Sequence, residues 1–465
     1  MKAEEEKRKK ACTTPFNLVI EEEKGEEEMS KRAKKLEELA GILDGLVIEE
    51  VEKTDITVLK LLSEKANEIS DPRDEAYVRH KLGDILMITL FGVMANADEW
   101  EKIEVFGKKK EKRLRKFLEL PYGIPTDDTF RLVISRINVS YAYEMIISFL
   151  MDKMLEVIEQ REQAHLEEVK EKGLISCDGK VSNSSKRSAT DMPGTSALQT
   201  LNAYSSEWDM CIGQEFIEEK TNEIPALPRL LRRLRLKDTI VTWDALNTQK
   251  GTVAAVIEGK GDYVGALKGN HGNLYADVKD YFDEETKAKI IKGDKQREEK
   301  QYKKTVEKEH SAIVTREYYL EPEISWLYGG EEWQGLSAIG IVVKKTEKKS
   351  SDPIYEERYY ISSITSIEDF ARAVRGHWGV ENRLHWHLDY TFGDDNNTTK
   401  RGNGAEGLQI FKKIALAILK IAQVLYPPRT SLKKIRYRLS LDYENEIEKI
   451  FTILNTDSLK GAFTK

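Results

Sequence analysis

Three acidic residues, far apart in the chain, each occupy a position that suits a metal ligand. Asp178 closes the short apolar run of LISCDGK, and Asp244 closes a second run in TIVTWDALNTQ. Glu381 lies in RAVRGHWGVENRLHWHLD, whose pattern predicts a helix. Two aspartates at strand ends and a glutamate on a helix offer the oxygen ligands that Mg²⁺ and Mn²⁺ prefer, and such ions also bind phosphate oxygens. The trio therefore predicts a metal site for phosphodiester chemistry.

Other interpretations of these positions stay open. The two aspartates could be ordinary turn and cap residues, because Asp before Gly is common in turns. His377, Glu381 and His385 fall on one face of the predicted helix, which suggests zinc. However, the short zinc motif is H-E-x-x-H, and zinc would leave both aspartates without a role. Asp394 and Asp395, in the polar turn FGDDNN, are alternative ligands that rank below Glu381.

The composition is that of a large protein with real cores and an uneven charge distribution. The 465 residues favour two or three domains, and 40% of them are hydrophobic. A net charge of −7 weakens a nucleic-acid interpretation. Basic clusters nevertheless occur at Lys108–Lys116 and Arg229–Lys237, separate from the acidic runs. Because the distribution of charge matters more than its total, DNA binding stays possible.

Cysteine usage and hydropathy predict a cytoplasmic protein. The three cysteines form no C-x-x-C pair and no even framework, which favours a reducing compartment. No apolar segment follows the charged residues 1–10, so no signal peptide is expected. The longest apolar stretch, Ile85–Ala97, is too short to span a bilayer and predicts a buried core helix.

The N-terminal third is predicted to be helical. Residues 1–55 form a Lys- and Glu-rich lead-in, and residues 56–160 form a helical domain that could bind DNA. Within it, a basic helix ends at Pro121 and a second helix starts at Thr126, a plausible N-cap. This outline predicts a helix-turn-helix, with a plain helical hairpin as the alternative. The proposed phosphate contacts are Lys112, Arg113, Arg115 and Lys116, and Thr129 and Arg131 could approach bases.

The pattern then changes to alternating strands and helices. Three short strands, a helix, a strand ending at Asp244, and a further helix and strand predict an α/β fold around a mixed sheet. A β-rich insertion occupies about 287–366, and the helix of Glu381 follows it. We assign 170–426 to this domain and 427–465 to a C-terminal helical tail. In open α/β sheets, strand ends such as those of Asp178 and Asp244 border the ligand crevice.

Four motifs in order carry a family resemblance. CDGK, VTWDALNTQ, LKGNHGNL and FARAVRGHWGVENRLHWHLDYTF resemble the DDE transposases of bacterial insertion sequences, and in particular the H-repeat-associated (ISAs-type) branch. The resemblance covers roughly 71–426 and includes the helical domain that precedes the catalytic domain. It implies an RNase H-like catalytic domain and catalysis by Asp178, Asp244 and Glu381. These residues would hold two Mg²⁺ or Mn²⁺ ions.

One departure from the family concerns charge near Glu381. Related transposases carry Tyr, Arg and Lys around the glutamate, where this chain has Val374, His377 and Leu388. We therefore consider Arg375, His377 and Arg383 as residues that could supply the missing charge. Lys268 and Asn270, in LKGN before a predicted helix start, are further candidates for binding phosphate.

Three functions fit these residues. The leading hypothesis is a DNA transposase that nicks element ends and joins them to target DNA, acting as a homodimer in the synaptic complex. The second is an RNase H-like nuclease without strand transfer, and the third is an inactive DNA-binding protein derived from such an element. The intact acidic trio argues against the third. The helical domain and the insertion favour the first, because they offer surfaces for end binding and assembly.

Overall fold

The computed structural model describes residues 57–162, 172–185, 197–217, 223–292, 299–309, 312–348, 351–399 and 403–452. The predicted lead-in of residues 1–55 lies outside these ranges. The N-terminal part is helical, as expected. Its helices are α1 (Thr57–Asn67), α2 (Leu82–Met94), α3 (Trp100–Leu114), α4 (Asp127–Ile134) and α5 (Val139–Glu162).

The predicted core helix is confirmed, and the predicted helix-turn-helix is wrong. Every residue of α2 is buried, as its apolar run indicates. Thr126 caps α4 by accepting a hydrogen bond from the Thr129 amide. However, α3 ends at Leu114, well before Pro121, and residues 115–126 connect it to α4. That connection is far longer than the turn of about 3–4 residues that defines the motif.

Within the described residues that follow α5, one nine-stranded mixed sheet forms the centre, in the order β3-β2-β1-β4-β5-β9-β8-β7-β6. Strands β1, β4 and β5 are parallel, and β2 and β3 run antiparallel beside β1. This arrangement confirms the RNase H-like α/β fold. The strands are β1 (Gly173–Ser182), β2 (Leu198–Ser205), β3 (Met210–Ile217), β4 (Thr239–Trp243), β5 (Asp262–Leu267), β6 (Tyr302–Glu309), β7 (Ala312–Glu321), β8 (Ala338–Lys348) and β9 (Ser351–Ser362).

The β-rich insertion continues the central sheet instead of forming a sheet of its own. Strand β9 pairs antiparallel with β5, and β8, β7 and β6 follow outward as a meander. Since β9 leads directly into the helix of Glu381, the insertion connects the last parallel strand to that helix.

Helices cover both faces of the sheet. Successive residues on β4 point to opposite faces, as strand geometry requires. Val241 packs in the core beneath the helices that follow β3 and β4, whereas Ile240 packs with Phe370 in the core beneath the Glu381 helix. The helices of this part are α6 (Glu223–Arg232), α7 (Lys250–Glu258), α8 (Asn273–Tyr281), α9 (Glu284–Lys292), α10 (Ile367–His377) and α11 (Trp386–Tyr390).

The C-terminal helices share one core with the N-terminal helices. These are α12 (Gly404–Ala422), α13 (Leu432–Leu441) and α14 (Tyr443–Thr452). Their apolar residues form one cluster with those of α1 to α5. All residues of α12 except Glu406 are buried, because the helix lies between this helical layer and the sheet. In the ranges that the structure describes, no helix is long and apolar enough to cross a membrane.

Candidate active site

Two neighbouring parallel strands place the two aspartates at the same level. In the pairing of β1 with β4, Cys177 lies opposite Trp243. The next residue on each strand is Asp178 on β1 and Asp244 at the end of β4. Both side chains are partly buried. The sheet therefore brings together two residues that the sequence separates.

Two glycines bring the helix of Glu381 close to this edge of the sheet. A Cβ atom on Gly376 would lie 2.2 Å from Cδ2 of Leu174, and one on Gly379 would lie 3.1 Å from the Tyr204 ring. A larger residue at Gly376 would therefore push α10 away from β1. The Ser176 hydroxyl donates to the Gly376 carbonyl at 3.3 Å, which joins helix and strand.

Glu381 lies in a π-helical turn, Val380–His385, between α10 and α11. The amide of Trp386 bonds the carbonyl of Glu381, five residues earlier. Such π-turns within α-helices are rare and frequently occur at functional sites. On the far side of the turn, Lys180 of β1 donates to Asp389 of α11 at 2.6 Å. The strand that carries Asp178 thus holds the helix on both sides of Glu381.

The charges of the three acids act on one another. Burial, together with the negative charges of Glu381, Asp244 and Glu223, raises the pKa of Asp178 to about 7, although a backbone hydrogen bond from Gly179 lowers it. Neighbouring negative charges in a partly buried site disfavour ionisation of each carboxyl group, and a bound cation would relieve their repulsion. The donor set therefore fits a hard divalent ion. Among the described side chains, however, no three acidic, histidine or cysteine groups are already arranged to hold a metal, and the Glu381 side chain is exposed.

Glu223, the first residue of α6, is a fourth acid at this site that the sequence analysis missed. Asn247 bridges it to Asp244, because the Asn247 Nδ2 group lies 3.0 Å from Glu223 Oε2 and 3.0 Å from Asp244 Oδ1. The pKa of Glu223 is raised by burial and by the charge of Asp244, against the Asn247 hydrogen bond. In the sequence it looks like an acid at a helix N-terminus, which the helix dipole alone would explain.

The comparisons with known proteins agree with this architecture. "Putative transposase YncI" of Escherichia coli O157:H7 is 35% identical over 361 residues, which cover 76% of this chain and 85% of that protein. "H repeat-associated putative transposase YhhI" of Escherichia coli K12 is 32% identical over 369 residues, covering 78% and 90%. A family model described as "Transposase DDE domain" matches residues 194–418, and one described as "DDE_Tnp_1-associated" matches residues 64–150. The chain belongs to the DDE transposase family.

The family match covers only part of the acidic trio. The match to the DDE domain begins after Asp178, so it includes only Asp244 and Glu381 of the trio. The family also contains "Inactive transposase YbfQ" of Escherichia coli K12, which is 38% identical over 78 residues, 17% of this chain and 93% of that protein. One solved structure that resembles the chain is a piggyBac transposase synaptic complex with hairpin DNA. The alignment covers 88% of this chain and 82% of the piggyBac chain, at 10% identity and a TM-score of 0.36. The RNase H-like fold of this chain follows from its strand order and not from this match.

The expected positive charge of this DDE transposase near Glu381 is mostly compensated or absent. His377 bonds the Thr242 hydroxyl at 3.0 Å, and burial lowers the pKa of His377 to about 4, so the ring is neutral at pH 7. The prediction that His377 supplies charge is therefore wrong. Arg375 forms ion pairs at 3.1 Å with both Glu307 and Glu309 of β6.

The side chains at the two neighbouring family positions pack in the hydrophobic core. Val374 and Leu388, which stand where relatives have Tyr and Lys, are buried. Arg383 is exposed, and its backbone carbonyl accepts a hydrogen bond from Lys420 at 2.8 Å. Of the residues proposed around Glu381, Arg383 therefore stays a candidate for binding phosphate.

The loop after β5 lies beside the end of β4. Asn270 Nδ2 donates to the carbonyl of Ala245, the residue after Asp244, at 3.1 Å. Lys268 is exposed at the same edge of the sheet, where β5 ends. Both positions agree with the expected phosphate contacts next to the acidic residues, which stay a prediction.

Helix α3 presents only part of its basic cluster to solvent. Arg113 is buried and forms an ion pair with Glu448 of α14, so the prediction that it contacts a phosphate is wrong. Lys112, Arg115 and Lys116 are exposed. Arg115 also forms an ion pair with Glu111 at 2.7 Å.

The alternative metal ligands fit the site less well than Glu381. Asp394 is fully buried, and it accepts hydrogen bonds from Ser182 at 2.7 Å and Gln409 at 3.1 Å. Burial raises its pKa, but the charge of Lys412 and these hydrogen bonds more than offset this and lower it. Asp395 accepts from Asn183. Both carboxylates are occupied by structural contacts.

Proposed function

We propose that this protein is a DNA transposase whose Asp178, Asp244 and Glu381 together hold two Mg²⁺ or Mn²⁺ ions and cut DNA at the ends of an insertion sequence. The observation that carries the proposal is the position of the two aspartates. They stand side by side on parallel strands, and the charge of Glu381, which lies in the π-helical turn, raises the pKa of Asp178.

The proposed reactions are two in-line displacements at phosphorus. In the first, a water oxygen attacks an end phosphodiester and a 3′-hydroxyl leaves. In the second, that 3′-hydroxyl attacks a target phosphodiester, so one bond forms as another breaks. Divalent ions at such sites activate the attacking oxygen and stabilise the leaving oxygen. The carboxylates bind and orient the ions, and exposed Lys268 and Arg383 would hold the DNA backbone nearby.

The DNA partners would be the terminal inverted repeats of the element and its target. A homodimer would suit a complex that holds two ends at once. A protein that acts on a bacterial insertion sequence would work in the cytoplasm.

The test is a cleavage assay on the DNA that flanks the gene on both sides. With Mg²⁺ or Mn²⁺, the wild-type protein should nick at the element ends and join them to a supercoiled plasmid. Changing Asp178, Asp244 or Glu381 to Ala should lower the nicking rate by more than roughly 100-fold. Losing a residue that only hydrogen-bonds to a metal ligand typically costs up to about 100-fold, and losing the ligand itself should cost more. Binding to the ends should persist, because carboxylates do not hold phosphates.

A matched control is Glu258→Ala, which removes an exposed acid of α7 that pairs with surface Arg232. This variant should cleave normally. Near-normal nicking by Asp244→Ala would exclude the site. Cleavage without joined products would favour the nuclease, and end binding without cleavage by the wild type would favour the inactive protein.

A further inference from the structure

A buried lysine on α12 has only neutral partners among its hydrogen bonds. Lys413 Nζ donates to Asn202 Oδ1 at 2.6 Å and to Gln214 Oε1 at 2.5 Å. Burial lowers the pKa of Lys413 to about 8. Its neighbour Lys412 is equally buried but faces the Asp394 carboxylate at 3.4 Å. A buried ammonium group bonded to two amides is costly, so a role beyond packing is expected.

Lys413 fixes the orientation of the Asn202 side chain on β2. An ammonium group has only donors, so the atom of Asn202 that faces it must be the amide oxygen. The thiol of Cys211 also faces this oxygen, at 3.9 Å. The Asn202 NH₂ group therefore points the other way, toward the Thr200 carbonyl at 3.3 Å and the His385 ring at 3.1 Å.

The hydrogen bond with Asn202 determines which ring nitrogen of His385 carries the proton. His385 lies at the end of the π-helical turn. The Asn202 NH₂ group can only donate, so Nε2 of His385 must accept. A ring nitrogen that accepts a hydrogen bond carries no proton, so the ring is not the doubly protonated cation and is neutral. Its single N–H is then on Nδ1, which lies 3.6 Å from Asp178 Oδ2.

We propose that Lys413, Asn202 and His385 form a hydrogen-bonded chain that holds His385 as the Nδ1–H tautomer and so positions Asp178. The N–H dipole of His385 points toward one carboxylate oxygen of Asp178 and fixes the direction of that side chain. Ligands whose orientation is set by outer partners bind metal better, typically by about 10–100-fold. The consequence for metal binding rests on the proposed function, but the tautomer does not.

The direct test is nitrogen NMR of the protein labelled with ¹⁵N-histidine, which gives signals from seven residues. The His385 signal is identified by its loss in His385→Gln. In the wild type at pH 7, long-range ¹H–¹⁵N correlations should show Nδ1 protonated and Nε2 unprotonated. In Lys413→Met, Asn202 is free to turn its oxygen toward His385, and the Nε2–H form should appear.

Lys412→Met is the matched control, because it removes the adjacent buried lysine outside the chain. It should lower thermal stability but leave the His385 tautomer unchanged. An Nε2–H His385 in the wild type would overturn the proposal. So would a Lys413→Met protein whose His385 signals match the wild type.

The effect on Asp178 is tested by Mn²⁺ binding, followed by the electron paramagnetic resonance of free Mn²⁺. His385→Leu removes the donor and should weaken Mn²⁺ binding about 10-fold or more. His385→Asn can place an amide N–H near the Nδ1 position and should recover most of it. DNA binding in EDTA should be equal in both variants. If both variants and the wild type bind Mn²⁺ equally well, His385 does not position Asp178. If the wild type binds no Mn²⁺ but shows the Nδ1–H tautomer, the result contradicts the proposed function alone.

Discussion

Gly179, between Asp178 and Lys180 on β1, leaves the space in which the Glu223 carboxylate lies. A Cβ atom on Gly179 would lie 2.1 Å from Glu223 Oε1 and 2.7 Å from its Cδ atom. The Glu223 side chain would have to move, and its bond to Asn247 would be lost. Because Asn247 also bonds Asp244, the missing side chain at Gly179 helps to hold the second aspartate in place.

We therefore expect Gly179→Ala to impair DNA cleavage without unfolding the protein. The end of a flexible side chain can move at little cost, so the free energy of unfolding should change by about 1 kcal/mol or less. Cleavage should fall about 10–100-fold, as for the loss of an outer-shell partner. Gly251→Ala is the control, since the nearest atom to a Cβ there, Pro228 Cγ, lies 4.0 Å away. Wild-type cleavage by Gly179→Ala would show that the position of Glu223 is unimportant.

The raised pKa of Asp178 predicts a pH dependence of stability. Its pKa is about 7 in the folded protein and 3.8 ordinarily, so folding favours the protonated form. The contribution of Asp178 to stability is complete below about pH 4 and is lost as the pH rises through 7. Compared with Asp178→Asn, the metal-free wild type should lose about 2–4 kcal/mol between pH 4 and pH 8.

Urea unfolding of both proteins in EDTA at several pH values measures this difference. Mg²⁺ at pH 8 should stabilise the wild type and leave Asp178→Asn nearly unchanged. A difference between the two proteins that does not vary with pH would contradict the shifted pKa.

At the residue scale, the sequence predicted the acids on strand ends but not the groups that hold them. Asp178 and Asp244 follow apolar runs, and that pattern is visible in the sequence alone. Glu223 and Asn202 act through contacts with residues far away in the chain, and neither lies in a motif. The tautomer of His385 depends on Lys413, which in the sequence is one basic residue of an apolar helix.

At the scale of elements, the π-helical turn changes which side chains of the Glu381 helix face the sheet. His377 and His385 both contact strands, whereas Glu381 is exposed beside them. An ideal helix would place all three on one face, and that regularity suggested zinc. No sequence pattern identifies a π-turn, so the correct arrangement required the structure.

The basic helix α3 shows the same limit of sequence patterns. Its cluster was predicted as one DNA-binding face, but burial divides it. Arg113 belongs to the core, whereas Lys112 and Lys116 are exposed. Charge alone could not distinguish a buried ion pair with α14 from a surface contact.

We predict that Lys112→Ala with Lys116→Ala weakens end binding and lowers the slope of log affinity against log salt by about two. Each phosphate contact contributes about one unit to that slope. The control is Lys289→Ala with Lys292→Ala, which removes the same charge from exposed positions of α9. An unchanged slope in the α3 variant would move end recognition to Lys268, Arg383 or the insertion.

At the scale of the whole molecule, the helical layer and the central sheet are joined through the C-terminal helices. Arg436 of α13 is buried and donates to the Val93 carbonyl at the end of α2, at 2.6 Å. It also pairs with Asp98 at 2.6 Å and donates to the Thr391 carbonyl, just after the Glu381 helix. The described part of the predicted tail, up to residue 452, thus belongs to the core that supports the site.

The alternation of strands and helices predicted the α/β fold, and the motif order predicted its RNase H-like form. The sequence could not show that β9 would pair with β5 and extend the sheet to nine strands, because strand pairing depends on distant partners. Nor could it show that α13 and α14 would pack with α2.

The most direct test of the central claim is the anomalous scattering of Mn²⁺ in crystals of the protein bound to element-end DNA. We expect peaks at the C-terminal ends of β1 and β4, within about 2–2.5 Å of carboxylate oxygens of Asp178, Asp244 and Glu381. Asp244→Ala crystals should lack them. Two results would contradict the account. One is peaks at Asp394 or Asp395, and the other is peaks bound by Asp178 and Asp244 with Glu381 turned away.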